Sequence, residues 1–349
     1  MYPQCAGLSR VGQVDLKTES GDRLSSLCAG VAFTMRHRLS YPNDEYEPPR
    51  GWNRPTHSTR DGWCDMGAIS KKLAARFRKA KKQRGDLRRQ AAADFATVPT
   101  DVNSVESLVR SGHDPLHAAY VAAQNFTSFF AEAVSPFAEF DPYCRIVGRA
   151  QEEYMPGGPP MSPLTTSYFT TWAFFDVRFG PDRETIGTCL LDVADLLGMD
   201  PFVAETIRQL QGSRMGIYEH LGTDGGRCRL RELVTDEEFR CHVPAGYRGT
   251  PGELWYIRLC PPLLGLVDYH IGFTTPYVLL GFGKADWLAY LNKSLLGAGD
   301  TRAALHQFLK FGKGPNAWNE FIFLAYHHHQ HEAIFLTGLP DVKGSLPHA

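Results

Sequence analysis

The sequence predicts an α+β protein, mostly helical, with one small antiparallel β-module at about residues 213–260 flanked by helical regions. Three observations carry this. Ser213–Leu259 alternates apolar and polar residues between turn signals. Asp-Pro and Ser-Pro pairs punctuate the chain where helices should begin. Apolar residues make up 43% and aromatics 12%, which is ample for a sizeable core.

Within the β-module, Ile217, Glu219 and Leu221 alternate with Tyr218 and His220, the period of a half-buried strand. Thr223-Asp224-Gly225-Gly226 then reverses the chain, because paired glycines supply positive φ. Cys228 and Leu230 point one way and Arg227, Arg229 and Arg231 the other. Phe239, Cys241 and Val243 repeat the inward set, and Gly249-Thr250-Pro251-Gly252 leads into a last strand, Glu253–Leu259. Its run of Leu254, Trp255, Tyr256 and Ile257 is too apolar for an exposed strand, so both faces should be covered. Four short strands bury too little to stand alone, so the flanking helices should close over one side.

Five regions follow in order. Residues 1–65 show no sustained period and read as a disordered or non-native extension, with Met66 as the plausible start of the folded part. Residues 66–100 read as a basic amphipathic helix. Ile69, Leu73, Phe77, Ala80, Leu87, Ala91 and Phe95 form its narrow apolar stripe, and Ser70–Arg89 holds ten Lys or Arg against the single acid Asp86. Residues 101–212 are helical, 213–283 hold the β-module and following loops, and 284–349 are helical again. Asp114-Pro115, Asp141-Pro142, Ser162-Pro163 and Asp200-Pro201 place a side-chain acceptor before a proline that tolerates the first helical position. Helices are expected over Pro115–Val134, Pro142–Glu153, Leu164–Arg178, Thr185–Leu197 with Gly198 as its stop, and Pro201–Gln211. Asp286–Leu295, Thr301–Phe311 capped by Asp300, and a long Asn316–Leu336 complete the set.

The eight cysteines show no C-x-x-C pair, the pattern of reduced cytosolic thiols. Cys228 and Cys241 face each other across a predicted hairpin, the one pair whose geometry allows a disulfide. The run Leu259–Gly283 is poor in charge, but its prolines and glycines break any spanning helix, so the sequence predicts no transmembrane segment and a cytoplasmic protein.

Chemistry has little to anchor it. No G-x-S-x-G, P-loop, dinucleotide glycine pattern or H-E-x-x-H is present. His327 and His331 fall one turn apart on the expected final helix, yet a third ligand is missing, so the sequence predicts neither metal nor cofactor. His113 and His117 share i, i+4 spacing, but a helix start between them denies them a common face. Glu219 and His220 are strand neighbours and point apart.

Two binding surfaces are easier to argue. Arg227, Arg229 and Arg231 alternate onto one strand face, which Arg240 and His242 share from the next strand, with Tyr247 and Arg248 in the following loop. Cross-strand ion pairs with Glu232, Glu237, Glu238 and Glu253 explain the same arginines equally well. The second surface is the basic helix, with Lys71, Lys72, Lys79 and Lys81 as its contacts. Residues 111–349 hold 18 basic and 26 acidic residues, so the body itself is a rival partner for that helix.

W-x-x-F-D at Trp172–Asp176, LRELVTDEEF at Leu230–Phe239 and PGELWYIRL at Pro251–Leu259 resemble a layout in uncharacterised bacterial cytosolic proteins, some of which carry a SEC-C zinc motif. The resemblance spans roughly residues 165–260 and implies a helical part and a small β-module, with no activity attached. The clustered cysteines of SEC-C are absent here, so its zinc does not carry over. The expected function is a non-catalytic binding or scaffold role with a protein partner. The alternatives are a hydrolase-type enzyme whose site assembles only in the fold, and nucleic-acid binding through residues 70–89.

Overall fold

The computed structural model describes residues 66–83, 105–156, 162–263 and 265–341. The expectations for 1–65, for the basic helix past Gln83, and for the side chain of Lys81 lie outside the described residues.

Helices α1 (Ala68–Gln83), α2 (Val105–Arg110), α3 (Pro115–Val134), α4 (Asp141–Tyr154), α5 (Thr166–Phe175), α6 (Ile186–Asp192), α7 (Ala194–Leu197) and α8 (Pro201–Gly212) precede the sheet. Of the four Asp-Pro and Ser-Pro caps read from the sequence, those at Asp114 and Asp200 are in place, whereas Asp141 lies inside α4 with no capping bond and Thr165, not Ser162, caps α5. Asp114 Oδ1 accepts from Leu116 N and His117 N at 3.0 and 3.3 Å, and Asp200 Oδ1 accepts from Phe202 N at 2.8 Å. Gly198 ends α7 at φ 66°. The expected Thr185–Leu197 helix is split at Val193. The expected Leu164–Arg178 helix is shorter at both ends, and every residue of α5 from Tyr168 to Phe175 is buried. A helix apolar all round belongs inside the molecule. It is held there because Tyr277 Oη donates to the Pro163 carbonyl at 3.1 Å and accepts from Thr165 N at 3.2 Å.

The β-module departs from the antiparallel expectation. Strands β1 (Met215–Asp224), β2 (Arg227–Glu232), β3 (Glu238–His242) and β4 (Leu254–Cys260) lie where the alternation placed them. Two further strands, β5 (His270–Gly272) and β6 (Tyr277–Leu280), come from the low-charge run that follows. β5 pairs parallel with β3 and antiparallel with β4, while β4 returns to β1. The order β1-β2-β3-β5-β4-β1 therefore closes a five-stranded barrel, which leaves none of those five strands as a free edge along its paired length.

Facing residues share a side of the sheet, so the register fixes the interior. Tyr218 opposes Trp255, Leu230 opposes Phe239, Cys228 opposes Cys241 and Leu259 opposes Gly272. Tyr218, Cys228, Leu230, Cys241, Trp255, Ile257 and Leu259 form the buried cluster inside the barrel. Cys228 and Cys241 are free thiols despite facing each other, as are Cys144, Cys189 and Cys260. The outer face of β1, β4 and β6, through Met215, Ile217, Tyr256 and Tyr277, packs into the larger core with the helices. All seven residues of β4 are buried, as its composition requires.

A larger correction concerns the C-terminal region. After α9 (Lys284–Ser294) and α10 (Thr301–Phe311), the expected helix Asn316–Leu336 stops early, as α11 (Ala317–Ala325). The chain continues as a hairpin of β7 (Tyr326–Gln330) and β8 (Ala333–Thr337), with β8 parallel to β6. Among the described residues the sheet thus has eight strands in the order β1-β2-β3-β5-β4-β6-β8-β7, and residues 284–341 are not a separate helical unit. Short apolar runs fit either period, and the unpaired edge of β6 supplies the ladder that Ile334, Phe335 and Leu336 take.

The turn of that hairpin is made by His331 and Glu332 at φ 46° and 61°, left-handed values that two-residue hairpin turns require and that non-glycine residues resist. Replacing them with the favoured pair, His331→Asn with Glu332→Gly, should raise stability by about 1 kcal/mol. Urea unfolding midpoints measure it, and an unchanged or lowered midpoint would contradict the turn.

Candidate functional site

The arginine face of the barrel is real in position but internally occupied. Arg229 and Arg231 both meet Glu238, at 3.0 and 2.7 Å, and Arg231 also lies 4.0 Å from Glu219. Arg240 reaches Asp268 at 3.5 Å. These partners hold Glu238 below its usual carboxylate range, chiefly through the hydrogen bonds from Arg231 and then Arg229. Tyr247 turns away from this face: its hydroxyl donates to Glu253 at 3.1 Å and its ring packs near Trp255 and Phe335. Glu219 and His220 do point apart, Glu219 outward to Lys284 at 2.8 Å and His220 into the barrel against Trp255.

Arg227 and His242 belong instead to a polar cluster where the start of α3 meets the barrel. Tyr269 Oη donates to Asp114 Oδ2 at 2.5 Å, Arg227 lies 3.6 Å from the same oxygen, and its guanidinium stacks 3.5 Å over the Tyr269 ring. Burial pushes the Asp114 carboxyl up, but the Tyr269 bond, the α3 amides and the charge of His242 outweigh it and hold the pKa below the ordinary value. The expectation that His113 and His117 lack a common face fails. Their ring centroids are 5.7 Å apart, because His113, just before the helix, is folded back by Ser111 Oγ and the Leu108 carbonyl at 3.0 and 3.1 Å from its Nδ1.

His117 titrates at about 4, through burial first and then the charges of His113 and His242. His306, beside Lys310 and Arg214, is likewise lowered to about 4, again mainly by burial. A histidine with a folded pKa below its unfolded value of about 6.5 binds its proton more readily when unfolded. Stability should therefore be fully present above pH 6.5 and fall as pH drops toward 4. Melting temperatures across that window check this, and His117→Gln and His306→Gln should each flatten the decline.

The strongest electrostatic feature was not singled out from the sequence. Asp176 follows the end of α5, Arg258 lies on β4, and Lys310 in the last turn of α10, and all three side chains are at most 4% exposed. Asp176 Oδ2 accepts from Arg258, and Asp176 Oδ1 lies 2.9 Å from Lys310. Lys310 Nζ and Arg258 Nη1 both donate to the Ser213 carbonyl, at 2.6 and 3.1 Å. Burial brings Lys310 down to about 8, against the opposing pull of Asp176. A lysine so shifted is a candidate catalytic group. The cavity that its side chain shares with Tyr168, Trp172, Asp176 and Tyr256 measures about 10 Å³, room for one water and not for a substrate. The cluster thus ties the barrel to the helices. Its signal was Arg258 itself, a charge within a strand that must be buried on both faces.

Helix α1 is docked on the body, and its basic side is outward. Ile69, Leu73 and Ala74 are buried in the main core. Glu184 accepts from Ile69 N and Ser70 N at 2.9 Å and from Ser70 Oγ at 2.6 Å, and Asp182 accepts from Ala68 N at 2.6 Å. Two carboxylates therefore close the positive end of the helix. Arg76 pairs with Glu139 at 3.0 Å and lies over Phe137. Lys71, Lys72 and Lys79 are exposed and form no ion pair among the described residues.

The histidine tract is on β7 and its turn, so His327 and His331 are not one helical turn apart. His328 stacks on Phe335 and His329 Nδ1 lies 3.0 Å from Tyr326 Oη. Among the described residues no group of three His, Cys, Asp or Glu is arranged to hold a metal ion, and no helix is long and apolar enough to cross a membrane.

These features define a mixed α+β protein built on a closed five-stranded barrel with a helical layer locked to it by buried charge. No protein family, curated protein or solved structure matches the chain.

Proposed function

We propose that the chain is a non-catalytic binding protein whose contact is the outward face of α1, and that its partner is an acidic protein segment. The observation that carries this is the contrast between two basic surfaces. Arg227, Arg229, Arg231 and Arg240 are each already opposed by a carboxylate, whereas Lys71, Lys72 and Lys79 are exposed and form no ion pair among the described residues, with only Lys72 near enough to Glu139 to act on its charge, on a helix pinned by Glu184. A fixed helix offers its charges without an ordering cost at the moment of binding. The excess of acids over bases in residues 111–349 disfavours a long phosphate backbone and leaves a short acidic segment as the better fit.

The hydrolase-type alternative draws support from His242, which lies near a carboxylate, Asp114. That carboxylate is engaged on both oxygens, by the α3 amides and by Tyr269, which argues against a free general base.

Fluorescence anisotropy with a labelled glutamate-rich peptide, in parallel with a labelled single-stranded oligonucleotide, tests the proposal. The peptide should bind, weaken as salt rises, and be lost in Lys71→Glu/Lys72→Glu/Lys79→Glu. Peptide binding that survives those changes removes α1 as the contact. Tight binding of the oligonucleotide alone replaces the acidic segment with nucleic acid.

A further inference from the structure

We infer a second site, for a small organic phosphate, in the groove between α4 and the start of α11. It does not depend on the reading of α1. The groove is open to solvent and offers about 780 Å³, within the range of roughly 300–1,000 Å³ typical of small-molecule sites. Its walls combine two chemistries. Arg145, Arg149 and Lys313 supply three exposed cations, and Ile146, Tyr154 and Pro315 supply an apolar surface.

The three cations line one groove. Arg145 and Arg149 are four residues apart on α4 and so share a helix face, and Lys313 approaches from the opposite wall. None of the three is paired with a carboxylate among the described residues, although the body is acidic. Lys313 Nζ lies 5.8 Å from the Tyr290 ring and 5.9 Å from the Phe308 ring, distances at which a cation–π contact is weak and leaves the charge available. The segment Gly312–Asn316 brings the backbone to the groove, with Gly312 at φ 63°, and delivers it into α11. Asn316, the first residue of that cap, makes no side-chain capping bond, and its buried Oδ1 lacks a partner. The positive end of α11 also borders the groove, and the first-turn Glu320 offsets part of its field.

Glu320 is the one acid on the lining and lies in the first turn of α11. Among the described lining residues the balance is three cations to one anion, with Glu153 bordering the groove through its hydrogen bond with Tyr154, and this positive excess suits a dianionic phosphate ester better than a carboxylate. Guanidinium forks match phosphate oxygens in pairs, and the ester's apolar part would lie on Ile146, Tyr154 and Pro315. Glu320 would meet a bound dianion as a like charge, so the site is assigned to binding alone.

Isothermal titration with phenyl phosphate, and separately with inorganic phosphate and benzoate, tests it on the full chain. Phenyl phosphate should bind saturably and more tightly than either of the others. Arg149→Gln and Arg145→Gln should each weaken it about tenfold or more, and Glu320→Gln should tighten it by about threefold. All three side chains are exposed, so unchanged melting temperatures separate these effects from misfolding. The variant Lys71→Glu/Lys72→Glu/Lys79→Glu should leave it unaltered. Absence of saturable binding, indifference to the arginine changes, or loss on changing the α1 lysines would each overturn the site.

Discussion

Asp176→Ala is expected to lower the stability of the protein by about 3–5 kcal/mol, because it leaves two buried cations without an anion. Arg258 and Lys310 both face that carboxylate, and neither reaches solvent. Removing one cation instead keeps a one-to-one pair, so Lys310→Met should cost distinctly less than Asp176→Ala. Denaturant unfolding of the two variants gives the comparison, and the reverse order would mean that the charges are not coupled as described.

The same lysine gives a pH signature. Its pKa of about 8 in the fold lies below the ordinary lysine value of 10.5, so between those values the unfolded chain holds the proton more tightly. Stability then rises with pH through this window, by at most about 1.4 kcal/mol per unit. Buried thiols act oppositely. Burial raises Cys260 to about 12 and Cys241 higher still, so the fold keeps protons that the unfolded chain releases above pH 9. The clean observable is the difference between wild type and Lys310→Met, in which the thiols cancel. That difference should grow in favour of wild type from pH 8 upward; a flat difference would show that the fold does not lower the pKa of Lys310.

Trp255→Ala should cost about 3–5 kcal/mol, the range for emptying a large aromatic from a core. Trp255 is fully buried inside the barrel, opposite Tyr218 on one side and Val278 on the other. His220 and Tyr247 lie on its ring, and its indole donates to Glu253 Oε2 at 2.9 Å. Because β4 alone pairs with β1, β5 and β6, a void there should loosen the barrel and the extension together. The readouts are urea unfolding and near-ultraviolet circular dichroism. A loss under about 1 kcal/mol would mean that the interior can collapse around the gap.

The two electrostatic surfaces were legible to different degrees. The lysines of α1 stood out as charge along a helix, and the structure places Lys71, Lys72 and Lys79 outward. The alternation of Arg227, Arg229 and Arg231 was equally plain, but whether Glu238 would neutralise two of them depended on the register of β2 with β3, in which Arg231 opposes Glu238. The groove between α4 and α11 gave no signal at all, since its residues 142–154 and 313–320 come together only by packing.

The sequence by itself determined where local chemistry acts: the starts of α3, α8 and α10 at Asp114, Asp200 and Asp300, the stop at Gly198, and the first four strands with their turns. These are set by hydrogen bonds and backbone conformations spanning a few residues. Only the tertiary structure decided that β5 would close the barrel, that Ala333–Thr337 would be strand, and that Asp176, Arg258 and Lys310 would meet. Ile334–Leu336 can serve a helix or a strand until β6 offers an open edge, and a charge in an apolar strand names no partner until the fold excludes water around it. Both choices are made by groups far apart in the chain, where ladder pairing and desolvation outweigh local preference.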